Sequence, residues 1–202
     1  MDATKIRLSA KEAELIGNAD WILTKNEILK KVKHVLEGLM EEQQTHIGYC
    51  HQLPAEILVP PPKISRGENY RGLPYLVLDH PRYFDKDNTF AIRTLFWWGN
   101  FFSITLHLSG SYKKMYEDKI EASIISLKEN SFFIGVNDDQ WEHHFETGNY
   151  LPLKEMNERD LRMHVTNKEF IKLAKRFPLE QWDDAGEILL ASFRQLIGWL
   201  TN

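Results

Sequence analysis

The sequence has few features that would distinguish it from an ordinary cytoplasmic globular protein. Cys50 is its only cysteine in 202 residues, so no disulfide can form within the chain. The N-terminus has no apolar leader, and the longest apolar stretch, 94–105, is interrupted at Gly99 and Asn100 and is too short to cross a bilayer. These absences lead us to expect a reduced, cytoplasmic, soluble chain with no membrane partner.

Positive charge and catalytic motifs are also scarce. The formal net charge is −4, so the chain has no basic excess for binding phosphate backbones, and we expect no nucleic-acid partner. No HExxH or CxxC spacing, phosphate-binding loop, dinucleotide fingerprint or GxSxG elbow occurs. Adjacent His143 and His144 would point to opposite faces of a strand, so we expect no metal site there, and His143 would be half-buried or line a cavity. We therefore predict no metal and no cofactor.

Apolar and aromatic residues, by contrast, are abundant. Hydrophobic residues make up 43% of the chain, including six Trp, seven Tyr and eleven Phe. A chain of this length buries enough surface to fold without a disulfide or a metal. We predict that residues 1–202 form a single globular domain.

Helical periodicity and capping signals predict helices near both ends of the chain. Ser9 followed by Glu12 has the spacing of a capping box and predicts a short helix over 9–18. Apolar residues at 3.6-residue spacing predict a long helix over 25–46, with Thr24 and Glu27 as its start signal. The same reasoning predicts three further helices, over 112–128, over 166–177, and from Asp184 to Leu200.

The clearest strand signal is a hairpin over 90–98 and 101–109. A two-residue Gly99-Asn100 turn would place Trp98 opposite Phe101 and would put Arg93 on the apolar core face. Further strands are predicted over 75–78, 132–136, 141–145 and 150–153, with the second and third as another hairpin and the last at a sheet edge because of Pro152. The predicted fold is α+β, a mainly antiparallel sheet of about four to six strands packed against N-terminal and C-terminal helices.

The segment 48–74 contains five prolines and is predicted to be a long loop, which is where function often lies. Arginine side chains suit carboxylate or phosphate groups, and several lie in or near this segment. If the segment 48–74 folds over the sheet, its polar side chains and those that follow the next strand could line one pocket for an anionic small molecule. Catalytic residues stay unassigned, and the candidate ligand-binding residues are Arg66, Tyr70, Arg71, His80, Arg82, Arg93 and His107.

Four aromatic residues crowd the tip of the predicted hairpin, namely Trp97, Trp98, Phe101 and Phe102. Under helices they would be core, whereas exposed they would form the interface of a homo-oligomer. The leading functional hypothesis is a non-enzymatic domain that binds a small molecule or a partner. The alternative is an enzyme acting on an anionic small molecule, with His80 or His107 as acid/base and the arginines as anchors.

Overall fold

The computed structural model describes residues 6–201, which contain seven α-helices and seven strands in one antiparallel sheet. The helices are α1 (Ala10–Gly17), α2 (Ala19–Ile47), α3 (Ala55–Leu58), α4 (Gly110–Ala122), α5 (Ile124–Glu129), α6 (Glu158–Asn167) and α7 (Ala185–Thr201). The strands are β1 (Lys63–Tyr70), β2 (Leu73–Phe84), β3 (Thr89–Trp97), β4 (Phe101–Ser109), β5 (Phe133–Gly135), β6 (Tyr150–Pro152) and β7 (Phe170–Pro178). The α+β class is confirmed, with slightly more strands than expected.

The strands lie in the order β1-β2-β3-β4-β7-β5-β6. The long strands β2, β3, β4 and β7 form the middle of the sheet, and the short strand β6 ends it at the edge predicted from Pro152. No helix among residues 6–201 combines the length and the apolar character that a membrane crossing requires.

One face of the sheet is covered by α2, α4 and α7, and we call it the helix-covered face. Its core includes Leu36 of α2, Phe90 of β3, Ile104 of β4 and Phe193 of α7, all fully buried. Each such side chain contributes about 1.5–3 kcal/mol by leaving water, so this face supplies most of the hydrophobic stabilisation.

The opposite face of the sheet carries a smaller apolar cluster and most of the buried polar groups. The cluster consists of Val77, Leu95, Trp97 and Phe101, against which Phe145 packs. Phe145 belongs to residues 137–149, which lie over this face and which we call the covering segment. We call this side the open face, because over β1, β2 and β3 it holds a solvent-accessible groove.

The register of the β3–β4 hairpin differs from the prediction by one residue. Gly99 has the expected positive φ of 70°, but the turn has three residues, so Trp97 rather than Trp98 lies opposite Phe101. A one-residue slip moves every side chain of one strand to the other face of the sheet. Arg93 therefore pairs with Thr105 instead of Leu106 and lies on the open face, away from the main core.

The predicted helix over 166–177 is wrong, because α6 ends at Asn167 and Phe170–Pro178 form β7 in the interior of the sheet. Phe170 through Ala174 are all buried, since β7 is covered on both faces. A short apolar run of this kind fits a buried strand and a helix equally well. The helix α6 comes just before it, with Asn157 as its N-cap.

Two further strand and loop predictions are corrected by the structure. The segment 48–74 is not a long loop, because it contains α3 and β1, and β2 begins at Leu73. The second predicted hairpin is also wrong, since β5 pairs with β6 and residues 141–145 form irregular structure in the covering segment. The predicted strand over 75–78 is part of the twelve-residue strand β2.

The terminal helices agree better with the sequence. The capping box of Ser9 and Glu12 opens α1 as predicted. The long helix α2 starts earlier than expected, at Ala19 with Asn18 as its cap, and the final helix α7 is confirmed. The helix predicted over 112–128 is interrupted at Ser123 into α4 and α5.

Candidate functional site

The groove on the open face has a volume of about 660 Å³ and crosses β1, β2 and β3. Its floor is apolar and is formed by Tyr75 and Val77 of β2 and Leu95 of β3. Its polar lining is formed by Lys63, Ser65, Tyr70, Asp79, Arg82, Asp85, Arg93 and His143. A volume of this size is typical of sites for small molecules.

An ion pair between neighbouring strands lies at the inner end of the groove. Arg93 of β3 donates from Nε to Asp79 Oδ1 at 2.7 Å and from Nη2 to Asp79 Oδ2 at 3.0 Å. The two residues are directly opposite each other in the antiparallel register, which allows this two-pronged geometry. The pair is largely buried, so the charge of each partner is compensated by the other.

The Arg93 guanidinium also fixes the tautomer and the neutral charge of His143. Arg93 Nη1 lies 3.0 Å from His143 Nε2, and because arginine can only donate, this ring nitrogen accepts. The proton of the neutral ring is therefore on Nδ1. Burial, and after it the charges of Arg93 and Lys172, hold the pKa of His143 well below its usual range. His143 is thus kept neutral, with its accepting nitrogen occupied.

Tyr70 holds the covering segment against the end of β1. Its hydroxyl donates to Glu142 Oε2 at 2.8 Å and accepts the backbone N–H groups of His143 and His144 at 2.8 and 3.0 Å. Burial, with the Glu142 contact, raises the pKa of Tyr70 to about 12, so the phenol stays protonated. The three hydrogen bonds of the Tyr70 hydroxyl therefore hold the groove wall that carries His143 in place against β1.

A buried lysine anchors the covering segment from below. Lys172 of β7 donates from Nζ to the Glu142 carbonyl oxygen and lies 5.1 Å from the centre of the Tyr150 ring. Burial, with the repulsion of Arg93, lowers the pKa of Lys172 to about 7. Gly135 makes room for this side chain, because a Cβ at residue 135 would lie 3.0 Å from Lys172 Cβ.

Two cations of the groove have no carboxylate partner among residues 6–201. Lys63 makes no ion pair within 4 Å in this part of the chain, and Arg82 only donates from Nε to the Pro61 carbonyl at 2.9 Å. The Asp85 carboxylate is engaged by the backbone N–H groups of Asp87 and Asn88. The lining thus holds three cations and two carboxylates, and both carboxylates already have donors.

Aromatic side chains form part of the groove wall. The rings of Phe84 and Trp141 lie 6.2 Å apart, and the two residues are 37% and 48% exposed. The Tyr75 ring crosses directly over Gly67, where a Cβ would lie 2.3 Å from a ring carbon. Exposed aromatic rings beside a groove favour contact with an apolar ligand.

The structure brings together three of the seven residues predicted as ligand-binding. Tyr70, Arg82 and Arg93 line the groove. The other four are Arg66, which pairs with Glu68; Arg71, which pairs with Glu146; His80, which is buried and shares a hollow with Gln44 and Cys50; and His107, whose Nε2 donates to Gln140 Oε1 beneath the covering segment. Desolvation lowers the pKa of His80 to about 4 and that of His107 to about 3, so both rings are neutral.

Several groove residues were not proposed from the sequence as ligand-binding. Lys63 lies on β1, where the prolines before it predict a loop. Tyr75 and Asp79 lie on β2, of which the sequence predicts only residues 75–78 as a strand. His143 does line a cavity, as expected, although from irregular structure rather than from a strand. Trp141 reaches the groove from the same covering segment.

The aromatic tip of the β3–β4 hairpin is mostly core. Trp97, Phe101 and Phe102 are buried, and Trp98 is partly buried. The indole N–H of Trp97 donates to the Tyr70 carbonyl at 3.2 Å, which ties the hairpin to β1. Trp97, Phe101 and Phe102 are thus core, but only Phe102 lies under the helices, whereas Trp97 and Phe101 belong to the cluster on the open face. An oligomer formed through this tip stays a prediction with little exposed aromatic surface to support it.

Comparison with known proteins adds no family. Neither a scan against protein-family models nor a search of the curated proteins gives a match to this chain. Within residues 6–201, no group of three or more His, Cys, Asp or Glu side chains is arranged to hold a metal ion.

Proposed function

We propose that this chain is a non-enzymatic binding domain whose groove holds a small molecule with a compact anionic group and an apolar body. The observation that carries the proposal is the pair of cations, Lys63 and Arg82, which lack a carboxylate partner among residues 6–201 and border an apolar floor. An anionic group would supply the missing counter-charge, and charge-assisted hydrogen bonds are about twice as strong as neutral ones.

The apolar body of the ligand would rest on Tyr75, Val77 and Leu95. These side chains lie next to each other on β2 and β3, so they present a continuous surface. Phe84 and Trp141 would flank the ligand and lose water from their exposed rings on binding. Burial of apolar surface stabilises a complex by roughly 25 cal/mol per Å², so this contact would supply much of the affinity.

The state of His143 supports binding in preference to catalysis. A general base needs a free lone pair, and the accepting nitrogen of His143 is occupied by Arg93. His80 and His107, the acid/base candidates of the enzymatic alternative, do not line the groove. A neutral His143 fixed by Arg93 can still act as a hydrogen-bond donor to a ligand through Nδ1. The enzymatic alternative stays a prediction.

The proposal is tested with three probes that share one apolar body: phenylacetate, phenyl phosphate and the uncharged phenylacetamide. We expect the two anions to raise the melting temperature and to give measurable isothermal titration heats, because a ligand of the native state stabilises it. Phenylacetamide should bind at least about tenfold more weakly than phenylacetate, since it offers no charge to Lys63 and Arg82.

Matched variants distinguish binding in the groove from binding to other cations on the surface. Lys63→Gln and Arg82→Gln should each weaken binding by about tenfold or more, whereas Arg66→Gln and Arg71→Gln should leave it unchanged. The controls remove the same charge from exposed residues outside the groove. Equal binding by all four variants, or equal binding of the charged and uncharged probes, would contradict the proposal. Conversion of phenyl phosphate to phenol, followed by NMR, would favour the enzymatic alternative.

A further inference from the structure

The N-terminal arm, residues 6–24, lies on the outside of the protein, and its inner end borders a hollow beside Trp98. Every residue of the arm is exposed, and α1 contains no buried residue. The first buried residue of α2 is Leu29, and Lys25 at the base of the arm pairs with Glu68 of β1 at 2.7 Å. The arm is thus two helical pieces, α1 and the first turns of α2, that lie beyond the core.

The helix α1 lacks the contacts that ordinarily stabilise a helix of its length. It has eight residues, and isolated helices shorter than about 12–15 residues are marginal in water. The capping box of Ser9 and Glu12 contributes roughly 1 kcal/mol, which is small beside the cost of nucleating a helix. Most helical stability in proteins comes from packing an apolar face, so α1 needs a surface on which to pack.

The arm carries apolar side chains of its own that remain uncovered on more than one side of its helices. Seven large apolar residues, about three-fifths exposed on average, are Ile6, Leu8, Leu15, Ile16, Trp21, Ile22 and Leu23. Together they expose roughly 400–500 Å² of apolar surface, taking about 100 Å² for each fully exposed side chain. The largest apolar patch on a typical monomeric protein is about 300–600 Å² and is often functional. A standard interface buries about 800 Å² per partner, of which 56–65% is apolar, so the arm alone supplies the apolar part of one such interface.

We propose that the arm is the interface of a two-fold dimer with a second copy of this chain, in which two arms form a four-helix bundle. The area of the patch matches what a stable dimer needs. The arm carries two cations, Arg7 and Lys11, and three acids, Glu12, Glu14 and Asp20, so opposite charges can pair across a two-fold axis. This acidic balance disfavours a membrane surface, because interfacial helices are rich in Lys and Arg.

The dimer is tested by sedimentation velocity on the full chain between about 1 and 100 µM, a range that brackets ordinary dimer affinities. The wild type should sediment at twice the chain mass of 23.8 kDa. The double variant Ile16→Asp/Leu23→Asp should weaken association roughly 100-fold or more, because two central apolar contacts would become buried charges. The control Ile125→Asp/Met163→Asp changes two apolar residues outside the arm that are also more than half exposed, and this variant should remain dimeric.

Hydrogen exchange provides a second measurement that does not depend on folding of the variants. The amides of α1 in the wild type should become protected as the protein concentration rises through the dissociation constant. A wild type that stays monomeric at 100 µM, or a double variant as dimeric as the control, would overturn the proposal. Binding of a monomeric wild type to lipid vesicles would also overturn it, in favour of a membrane surface. Neither result involves the groove, so the dimer and the ligand-binding proposal can fail separately.

Discussion

Replacing Arg93 by alanine would leave the buried Asp79 carboxylate without its counter-charge. Asp79 is 7% exposed, and both of its carboxylate oxygens accept hydrogen bonds from Arg93. The substitution would also remove the donor to His143 Nε2, and with it one contact between β3 and the covering segment. Removal of one partner of a buried ion pair costs about 3–5 kcal/mol, so we expect Arg93→Ala to lose that much stability.

The assay is equilibrium unfolding in urea, followed by tryptophan fluorescence. With a slope of roughly 2–3 kcal/mol per M for a chain of this size, the midpoint should fall by about 1–2.5 M. The matched control is Asp79→Leu/Arg93→Met, which replaces both charges by apolar groups. This double variant should recover most of the loss and leave about 1–2 kcal/mol for the unpaired nitrogen of His143.

Two results would refute this reasoning. A midpoint for Arg93→Ala within about 0.3 M of the wild type would mean that Asp79 is solvated without its partner. A double variant as unstable as the single one would mean that the loss comes from packing of the arginine stem and not from the uncompensated carboxylate.

Two further predictions concern a buried lysine and two glycines. Because the pKa of Lys172 is lowered from 10.5 to about 7, the unfolded chain binds a proton that the folded chain does not between these pH values. The free energy of unfolding should therefore rise with pH by up to ~1.4 kcal/mol per unit in this window, and Lys172→Met should lose that slope; equal slopes would contradict the assignment. Gly110 and Gly99 both have positive φ, but a Cβ at Gly110 would lie 2.3 Å from the Asp87 carbonyl oxygen, whereas Gly99 has open space. Gly110→Ala should cost at least about 1 kcal/mol more than Gly99→Ala in urea unfolding, and equal losses would contradict the steric argument.

The helices near the chain ends were predictable because their signals are local. The capping box at Ser9 and the apolar stripe of α7 involve residues that are neighbours along the sequence, so these signals can be recognised without knowledge of any distant contact. The turn at Gly99 was predictable for the same reason. The length of this turn was not predictable, because a two-residue and a three-residue turn both accept glycine at positive φ. The turn length sets the register and therefore decides on which face of the sheet Arg93 lies.

The groove could be predicted only in part. The sequence analysis proposes Tyr70 from a loop, Arg82 from the residues after a strand and Arg93 from the hairpin, and the structure brings the three together. The hydrogen-bond partners of Arg93 are Asp79 of β2 and His143 of the covering segment. His143 is 50 residues from Arg93 in the chain. Contacts between residues so far apart in the chain produce no spacing pattern that can be recognised in a single sequence.

By itself the sequence determined composition, the α+β class, the capped terminal helices and a glycine turn, since each depends on side-chain type and near neighbours. Only the tertiary structure decided that Phe170–Pro178 is a strand of the sheet interior, because its apolar residues suit a helix until strands pack on both sides. It also decided the hairpin register, and therefore which face Arg93 occupies. Strand pairing is a contact between distant segments, and the free energy of burying whole faces, rather than local preference, selects it.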